Sequence, residues 1–288
     1  MLTATSDTEA PAPGLHPNVP LATYLRWPLL SQSTLKEMRN SPAHLRAALD
    51  GERVKNVTDD MALGSALHTC FLEPEHMLTR VVRWDGGTRR GKAWDEFSAE
   101  HAERIILTPG YYESLVGMVK ALRRHPFVRE WVGRIQHTEV SCVGDVHGVP
   151  MKGRCDALTA EPMVDLKKVR TADPRAFTNA VLAYGYHWQA YIYGRLFNRE
   201  RFVLLTVEDS EPFDVVAFEF SPAFIRLAEA EVIPMLDRYK WAVEHDSWPG
   251  RAEEVVQLEV PEWAANEAES EVTVGGESAF DDDKSEPF

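Results

Sequence analysis

The chain has 288 residues, of which 44% are hydrophobic and 26% are charged, and its formal net charge is −14. This composition is typical of globular proteins, and the length allows one α/β domain with additions. No apolar run approaches the ~20 residues of a membrane-spanning helix, which argues against a membrane protein. The N-terminal residues also lack the basic and apolar regions of a secretory signal.

Three cysteines, Cys70, Cys142 and Cys155, are scattered along the chain without C-x-x-C spacing. Structural zinc sites usually show such spacing, and an odd number of distant cysteines does not suit a disulfide framework. We therefore expect a reducing, cytoplasmic setting.

The negative charge is concentrated at the C-terminus, where residues 253–288 contain twelve acids and one lysine. Residues 21–252 carry a formal charge of only −1, so the acidity of the whole chain does not exclude DNA binding. We expect a disordered lead-in over residues 1–20, one folded domain over residues 21–250 and an acidic, largely disordered tail over residues 251–288.

The predicted elements begin with helices. The stretch "SQSTLKEMRNSPAHLRAALDG" predicts a helical segment from about Ser33 that is broken or kinked at Pro42. The stretch "DDMALGSALHTCFLEPE" predicts a close-packing helix that ends before Pro74. Residues 84–98 are predicted to form an exposed basic loop, and residues 111–124 an amphipathic helix.

A β region follows, with three strand candidates: "HTEVSCVGD", "VPMKGRCDALT" and "PMVDLKKV". Two helices come next, the first with Asp173 as N-cap and Pro174 at its first position. Two strands, "RFVLLTVED" and "FDVVAFEF", precede a long helix that starts after Ser221 and contains Pro234 as a kink. This order predicts an α/β (α+β) fold with a central mixed sheet flanked by helices.

The strand "MVDLKKV" (163–169) raises a question because it places charges inside an apolar run. Strand side chains alternate, so Asp165 and Lys167 point to one face, and charges are rarely buried without a partner. Asp156 lies nine residues earlier, across one turn, and its carboxylate converges with that of Asp165 if the register allows. Two carboxylates and a lysine suit magnesium-assisted phosphodiester cleavage, although the pattern alone equally describes a structural ion pair.

Four short motifs together carry a resemblance to a known family. "GRCD" (153–156) followed by "DLK" (165–167) resembles the signature of the PD-(D/E)XK nucleases, which have a restriction-endonuclease-like core. "LGSALH" (63–68) and "QAYIY" (189–193) resemble motifs of the RecB and phage-exonuclease branch. The stretches "LSQSTLKEMRNSPAHLRAAL" and "MALGSALHTCFLEPE" are especially similar to RecE-type exonucleases (exodeoxyribonuclease VIII), and the resemblance runs from Ser31 to Trp248.

The resemblance implies roles for eight residues near the metal. It implies that Asp156, Asp165 and the carbonyl of Leu166 are metal ligands, that His68 is a metal ligand or a phosphate contact, and that Glu139 supports a second metal. It implies a catalytic role for Lys167, with Gln189 and Tyr193 orienting the lysine strand or touching DNA. Without the resemblance, His68 reads equally well as a core histidine, Glu139 as a solvent-facing strand residue and Tyr193 as a core aromatic.

Two further groups are candidates for contact with DNA. Ser31, Ser33 and Arg39 are placed to hold a 5′-phosphate at a helix N-terminus, or they are an N-cap with a surface arginine. A basic run, Arg89, Arg90 and Lys92, is a candidate to follow a DNA backbone, or it is a solvated loop.

The last residues, "AFDDDKSEPF", resemble the acidic tip of bacterial single-stranded-DNA-binding proteins. A terminal carboxylate beside an aromatic ring suits an apolar pocket with a basic rim, so Pro287 and Phe288 are candidates to recruit a recombination or repair partner. Alternatively, the tail blocks self-association on DNA. A solubilising tail explains the same residues.

The RecE-type resemblance implies a Mg²⁺-dependent exonuclease, with Mn²⁺ as a substitute, that digests the 5′-ended strand of linear double-stranded DNA. It further implies 3′ single-stranded tails for a RecT-like annealing protein, a ring-shaped homo-oligomer and a phage or prophage origin in a bacterial host. One alternative is another nuclease of this superfamily, of RecB or Cas4-like type, although three scattered cysteines disfavour a four-cysteine iron–sulfur cluster. The other is a non-catalytic DNA-binding recombination mediator.

Overall fold

The computed structural model of the protein describes residues 9–51, 58–261 and 264. Residues up to Trp248 belong to one compact unit, and residues 249–288 belong to a second. The described α-helices of the first unit are, in chain order, α1 (Leu21–Arg26), α2 (Gln32–Leu35), α3 (Pro42–Leu49), α4 (Asp59–Leu72), α5 (Met77–Arg80), α6 (Lys92–Glu100), α7 (Pro109–Arg124), α8 (Pro126–Trp131), α9 (Pro174–Tyr184), α10 (Tyr186–Phe197) and α11 (Pro222–Glu244).

The described strands are, in chain order, β1 (Gly14–His16), β2 (Leu30–Ser31), β3 (Val81–Arg83), β4 (Ile105–Leu107), β5 (His137–Val146), β6 (Val149–Leu158), β7 (Met163–Val169), β8 (Phe202–Glu208) and β9 (Val215–Glu219). The main sheet has the order β1-β5-β6-β7-β8-β9, and β2 also pairs with β6. Its pairs are antiparallel except β7–β8 and β2–β6, which are parallel. A central mixed sheet flanked by helices confirms the predicted fold class.

The sheet separates two hydrophobic clusters. One cluster packs α10 and α11 against one face, with Trp188 and Leu236 among its fully buried side chains. The other packs α4 and α7 against the opposite face, where Leu67, Val164 and Leu166 are buried. Because side chains alternate along β7, Asp165 and Lys167 point away from the α4 cluster and toward α10.

Strands β6 and β7 pair at one position, Ala157 opposite Val164, and then diverge. Nearer the N-terminus of β6, the strand that pairs with it is β2 instead of β7, with Leu30 opposite Met151 and Ser31 opposite Lys152. The sheet is therefore split between β6 and β7. This split opens a region that side chains from both faces reach.

Several predicted elements are confirmed, and some differ. The three-strand β region, the two helices after it and the long C-terminal helix lie where they were expected, and Asp173 accepts a capping hydrogen bond from the Ala176 N–H. The expected interruption at Pro42 is a break, since a new helix, α3, begins there with Ser41 as its N-cap. Pro234 lies inside the continuous helix α11.

Two loop predictions were wrong. Part of the expected basic loop is helical, since α6 begins at Lys92, where Trp94 and Phe97 pack around Trp84. Part of the expected disordered lead-in is ordered, since β1 pairs with β5 over 120 residues later. The expected disorder of residues 251–288 falls mostly outside the described residues and stays a prediction.

All three cysteines are buried as free thiols, as their spacing indicated. Within the part of the chain that the structure describes, no helix has both the length and the apolar character needed to cross a bilayer.

Candidate active site

Three carboxylates lie in a row across three neighbouring strands. In the β5–β6 pair, Thr138 lies opposite Ala157 and Val140 opposite Cys155, so Glu139 between them faces Asp156. In the β6–β7 pair Ala157 lies opposite Val164, so Asp156 and Asp165 are the next residues on the two strands, at the point where these diverge. Asp156 accepts a hydrogen bond from the N–H of Leu166, the residue after Asp165, so the two acidic residues lie close together.

At the split, side chains rather than a neighbouring strand make hydrogen bonds to the backbone of β7. Oδ2 of Asp156 accepts a hydrogen bond from the N–H of Leu166 at 2.7 Å. Nε2 of His68, from α4, donates to the carbonyl of Leu166 at 2.9 Å. Both backbone groups of Leu166 are therefore bonded to residues of the predicted metal site.

His68 lies between two carboxylates. Its Nδ1 is 3.5 Å from Oε1 of Glu139 and 3.6 Å from Oδ2 of Asp156. Burial lowers the pKa of His68, but the charges of Asp156 and Glu139 outweigh burial and raise that pKa to about 9. Without a bound cation the imidazole is therefore protonated at neutral pH, and it neutralises part of the acidic row.

Asp165 is held from two sides. Its Oδ1 accepts a hydrogen bond from Nε2 of Gln189 at 2.6 Å, and its Oδ2 lies 2.5 Å from Nζ of Lys167. The side chain is only 3% exposed, and among the described residues Oδ2 has no hydrogen-bond partner beyond that ion pair. The Oδ2 atom thus has lone pairs available for a cation.

Burial lowers the pKa of Lys167, but Asp165 and Asp156 raise it above its ordinary value. Burial, followed by the charge of Asp165, raises the pKa of Asp156. Lys167 is therefore an ammonium at neutral pH. It can donate hydrogen bonds and offset negative charge.

Arg154 and Tyr193 support the row from behind. Nε of Arg154 donates to Glu139 at 2.8 Å, and its terminal nitrogen donates to Ser141 at 3.0 Å. The hydroxyl of Tyr193 accepts a hydrogen bond from the backbone N–H of Arg154 at 3.2 Å. Glu139 has a φ of +49°, a strained conformation that Arg154 and His68 hold in place.

Two residues near the site were given no role from the sequence. Arg154 stands inside the "GRCD" motif, but its partner Glu139 is on another strand. Lys168 donates to Asp60 at 2.6 Å and to Asp209 at 3.0 Å, and so ties β7 to the start of α4. Each side chain acts through a nonlocal contact, which leaves no local sequence signal.

The donor atoms fit a divalent cation. One donor atom each from His68, Glu139 and Asp156 lie within 4.8 Å of one another. Asp165 is outside this set, and its carboxylate pairs with Lys167. Carboxylate and carbonyl oxygens suit Mg²⁺ or Mn²⁺, and imidazole is also a ligand for first-row transition metals.

Ser31 and Ser33 lie close to the split between β6 and β7. The Ser31 hydroxyl is 3.0 Å from that of Ser33, and it accepts a hydrogen bond from the Thr34 N–H. Its strand partner, Lys152, is four residues before Asp156 on β6, about 13 Å along the strand. Contact of these hydroxyls with a 5′-phosphate stays a prediction.

The guanidinium of Arg39 contacts protein groups rather than facing the metal site. It donates to the carbonyls of Leu182 and Ala183 at the end of α9, at 3.1–3.3 Å. It also stacks 3.8 Å above the ring of Trp188. Binding of phosphate by Arg39 stays a prediction.

The three residues of the predicted basic run differ in their contacts. Arg89 is engaged by Asp59 and by the carbonyl of Ile106, and it lies over the ring of Trp94. Arg90 is exposed, and Lys92 is an exposed residue 3.7 Å from Glu96. The structure thus gives Arg89 a role in packing, and contact of all three residues with DNA stays a prediction.

One solved structure has a similar fold. A crystal structure of a "Putative exonuclease" from Eubacterium rectale matches with a TM-score of 0.55 at 13% identity, covering 81% of this chain and 91% of that chain. A crystal structure of SSO0001 matches with a TM-score of 0.26 at 16% identity, covering 70% of this chain and 84% of that chain. No curated protein is similar in sequence.

A family model described as a PDDEXK-like domain of unknown function, DUF3799, matches residues 31–259. This range includes the acidic row, Lys167, His68 and the helix that carries Gln189. The chain therefore belongs to the PDDEXK-like family DUF3799.

Proposed function

We propose that this protein is a Mg²⁺-dependent exonuclease that degrades the 5′-ended strand of linear double-stranded DNA and leaves 3′ single-stranded tails. The observation that supports nuclease activity is the row of acids Glu139, Asp156 and Asp165. Lys167 lies beside this row and His68 lies above it. Membership of a PDDEXK-like family supports the same conclusion. The choice of DNA end and strand rests on the RecE-type resemblance.

The chain supplies the metal ligands, the positive charge of Lys167 and a fixed arrangement of these groups. His68, Glu139, Asp156, Asp165 and the Leu166 carbonyl would hold the metal. When bound, magnesium polarises the scissile phosphate and lowers the pKa of a water molecule. The Lys167 ammonium donates hydrogen bonds to the water or to the phosphate oxygens and offsets the charge that builds in the transition state.

The orientation of these groups comes from a second layer of contacts. Gln189 fixes Oδ1 of Asp165, so that Oδ2 faces Lys167. Arg154 holds Glu139, and Tyr193 holds the backbone of Arg154. Such supporting hydrogen bonds usually contribute 10–100-fold to metal affinity or activity.

The wider biological proposal follows the same resemblance. We expect a RecT-like single-strand annealing protein to use the 3′ tails, a ring-shaped homo-oligomer to enclose the DNA, and a phage or prophage origin with action in the bacterial cytoplasm. The proposed partner contact through Pro287 and Phe288 lies outside the described residues. Deleting these two residues should weaken capture of the annealing protein while leaving nuclease activity unchanged.

The test of the proposed function compares DNA ends. Linear duplex labelled at either the 5′ or the 3′ end and closed circular duplex are incubated with the protein in Mg²⁺ or in chelator. We expect early release of the 5′ label from linear DNA in Mg²⁺, and no cutting of circles. Asp165→Ala should abolish release, whereas Glu96→Gln, an exposed acid on α6, should not.

Other outcomes separate the alternatives. Cutting of closed circles would identify an endonuclease, and early loss of the 3′ label would reverse the polarity. Binding of linear DNA without any loss of label in Mg²⁺ or Mn²⁺ would instead support a non-catalytic mediator.

A further inference from the structure

Two tyrosines flank the junction between α9 and α10. Gly185 joins the helices with a φ of +70°, a conformation that glycine adopts without strain, and Tyr184 and Tyr186 lie on either side of it. Gln32 donates to the Gly185 carbonyl at 3.1 Å. Arg39 donates to two carbonyls in the last turn of α9. The junction is therefore fixed by contacts from the α2 region.

The inner ring, Tyr186, borders the candidate active site. Its centroid lies 5.3 Å from Nζ of Lys167 and 6.2 Å from the centroid of the Phe177 ring. It is half-buried. Tyr186 therefore forms a wall next to the lysine that the proposed chemistry requires.

The outer ring, Tyr184, extends this wall into solvent. Its centroid is 5.7 Å from that of Tyr186, and the residue is 56% exposed. The Tyr186 centroid is in turn 5.3 Å from Nζ of Lys167, so the Tyr184 centroid lies at most 11 Å from that Nζ. At the 3.4 Å spacing of stacked nucleotides, that distance corresponds to at most about three nucleotides.

The other tyrosines of this region have structural partners. Tyr193 is buried and bonded to the Arg154 backbone, and Tyr191 bonds to Glu229 on α11. Tyr184 differs because more than half of its surface is free. Proteins that bind single-stranded nucleic acids combine exposed aromatic rings, on which bases stack, with cationic side chains near the phosphates.

We propose that Tyr184, supported from behind by Tyr186, is a stacking platform for an unpaired base of the DNA strand that is being cut. This inference rests on the proposed function and deepens it, because it assigns the site a melted strand end rather than an intact duplex as its immediate ligand. Stacking would be tolerant of sequence, since every base has an aromatic face. The Arg39 guanidinium, bonded to the two residues before Tyr184, supplies positive charge beside the platform.

The platform is tested by binding, without catalysis. A duplex with a short unpaired 5′ end carries 2-aminopurine in the unpaired region, and its fluorescence is followed in chelator during titration with the full chain. Wild type and Tyr184→Phe should quench the probe. Tyr184→Ala should lose most of the quenching and bind about fivefold or more weakly, as expected for one lost stacking contact.

A matched control is Trp241→Ala on α11, which removes another exposed ring, 47% exposed. Trp241 lies ten residues beyond Glu231, about 15 Å farther along the helix, and its removal should leave quenching unchanged. Equal binding and quenching by Tyr184→Ala and wild type would overturn the platform, as would a Tyr184→Phe variant as weak as Tyr184→Ala.

The two proposals fail separately. If wild type cuts linear DNA in Mg²⁺ but Tyr184→Ala binds normally, only the platform is rejected. If the probe is quenched through Tyr184 but no label is ever released in Mg²⁺, the nuclease proposal is rejected and the platform stands. Absence of any binding by wild type in chelator would reject the platform, whereas the nuclease proposal is decided by label release in Mg²⁺.

Discussion

Charge balance explains how the chain tolerates three acids in one row. Glu139, Asp156 and Asp165 face His68, Arg154 and Lys167, each within ion-pair distance of at least one carboxylate. Buried carboxylates need such partners, because desolvation of an unpaired charge costs several kcal/mol. A divalent cation that enters the row must compete with the proton of His68 and with the ammonium of Lys167.

Replacement of Lys167 by methionine separates its charge from its bulk. Lys167→Met should lower kcat by about 100-fold or more, because one donor to the transition state is lost. It should also lower the free energy of unfolding by about 3 kcal/mol in chelator, since Asp165 loses its counterion, and by less in Mg²⁺. Chemical unfolding with and without Mg²⁺, together with single-turnover cleavage, measures both effects. An unchanged kcat would remove Lys167 from the mechanism.

Gln189 and Tyr193 belong to one sequence motif but contact different groups, which predicts different phenotypes. Gln189→Ala leaves the buried Oδ1 of Asp165 unpaired, so metal affinity or kcat should fall 10–100-fold and the unfolding free energy in chelator should fall by about 1–3 kcal/mol. Tyr193→Phe leaves the buried N–H of Arg154 unpaired and should cost about 1–3 kcal/mol of unfolding free energy. Metal titrations and urea unfolding of both variants measure the difference. The reverse pattern would contradict the assigned contacts.

At the scale of elements, the position of α4 matters because this helix carries His68. Lys168, 9% exposed, ties β7 to Asp60 at the start of α4 and to Asp209 after β8. Lys168→Met should lower the free energy of unfolding by about 1.5–3 kcal/mol and weaken metal binding, because α4 loses an anchor. Urea unfolding and metal titration measure both quantities.

The matched control is Lys92→Met, whose side chain is 89% exposed and lies 3.7 Å from Glu96. Its effect on stability should stay within about 0.5 kcal/mol, as is usual for surface substitutions. Equal losses from both substitutions would show that Lys168 is only a surface charge.

The contact between α10 and α11 predicts a pH dependence. Oε2 of Glu231 accepts hydrogen bonds from His187 at 2.8 Å and from Trp188 at 2.5 Å. Burial raises the pKa of Glu231, but these hydrogen bonds outweigh burial and lower it below its ordinary value. The stabilising effect of the carboxylate is thus complete above pH 4.5 and is lost as the pH falls through the lower value of the folded state.

Glu231→Gln tests this contact without changing the shape of the side chain. The difference in unfolding free energy between wild type and variant should be largest at neutral pH and should shrink below pH 4.5. Chemical unfolding at pH 7 and at acidic pH measures it. A difference that grows on acidification would contradict the sign.

At the scale of the whole molecule, the long elements were predictable and the short ones were not. β5, β6 and β7 have seven to ten residues each, with turn residues between them, so their pattern is local. β1 and β2 have three and two residues, and they exist because they pair with strands more than 100 residues away. No local period signals such strands.

The candidate site divides in the same way. Strand alternation placed Asp165 and Lys167 on one face, and the nine-residue spacing brought Asp156 next to the β7 backbone at Leu166. Nothing in the period of "MVDLKKV" indicates that Lys168 meets Asp60, 108 residues earlier, or that Gln189 reaches Asp165. The positions of His68 and Gln189 were expected from the family resemblance alone.

The central claim is that Glu139, Asp156 and Asp165 gather a divalent cation that, with Lys167, hydrolyses phosphodiester bonds. The most direct measurement is the rate of nucleotide release from linear duplex DNA across a Mg²⁺ titration, for wild type and for Asp156→Asn. We predict a rate that saturates with Mg²⁺, vanishes in chelator and falls at least 100-fold in Asp156→Asn. Release that persists in chelator, or that Asp156→Asn retains in full, would contradict the claim.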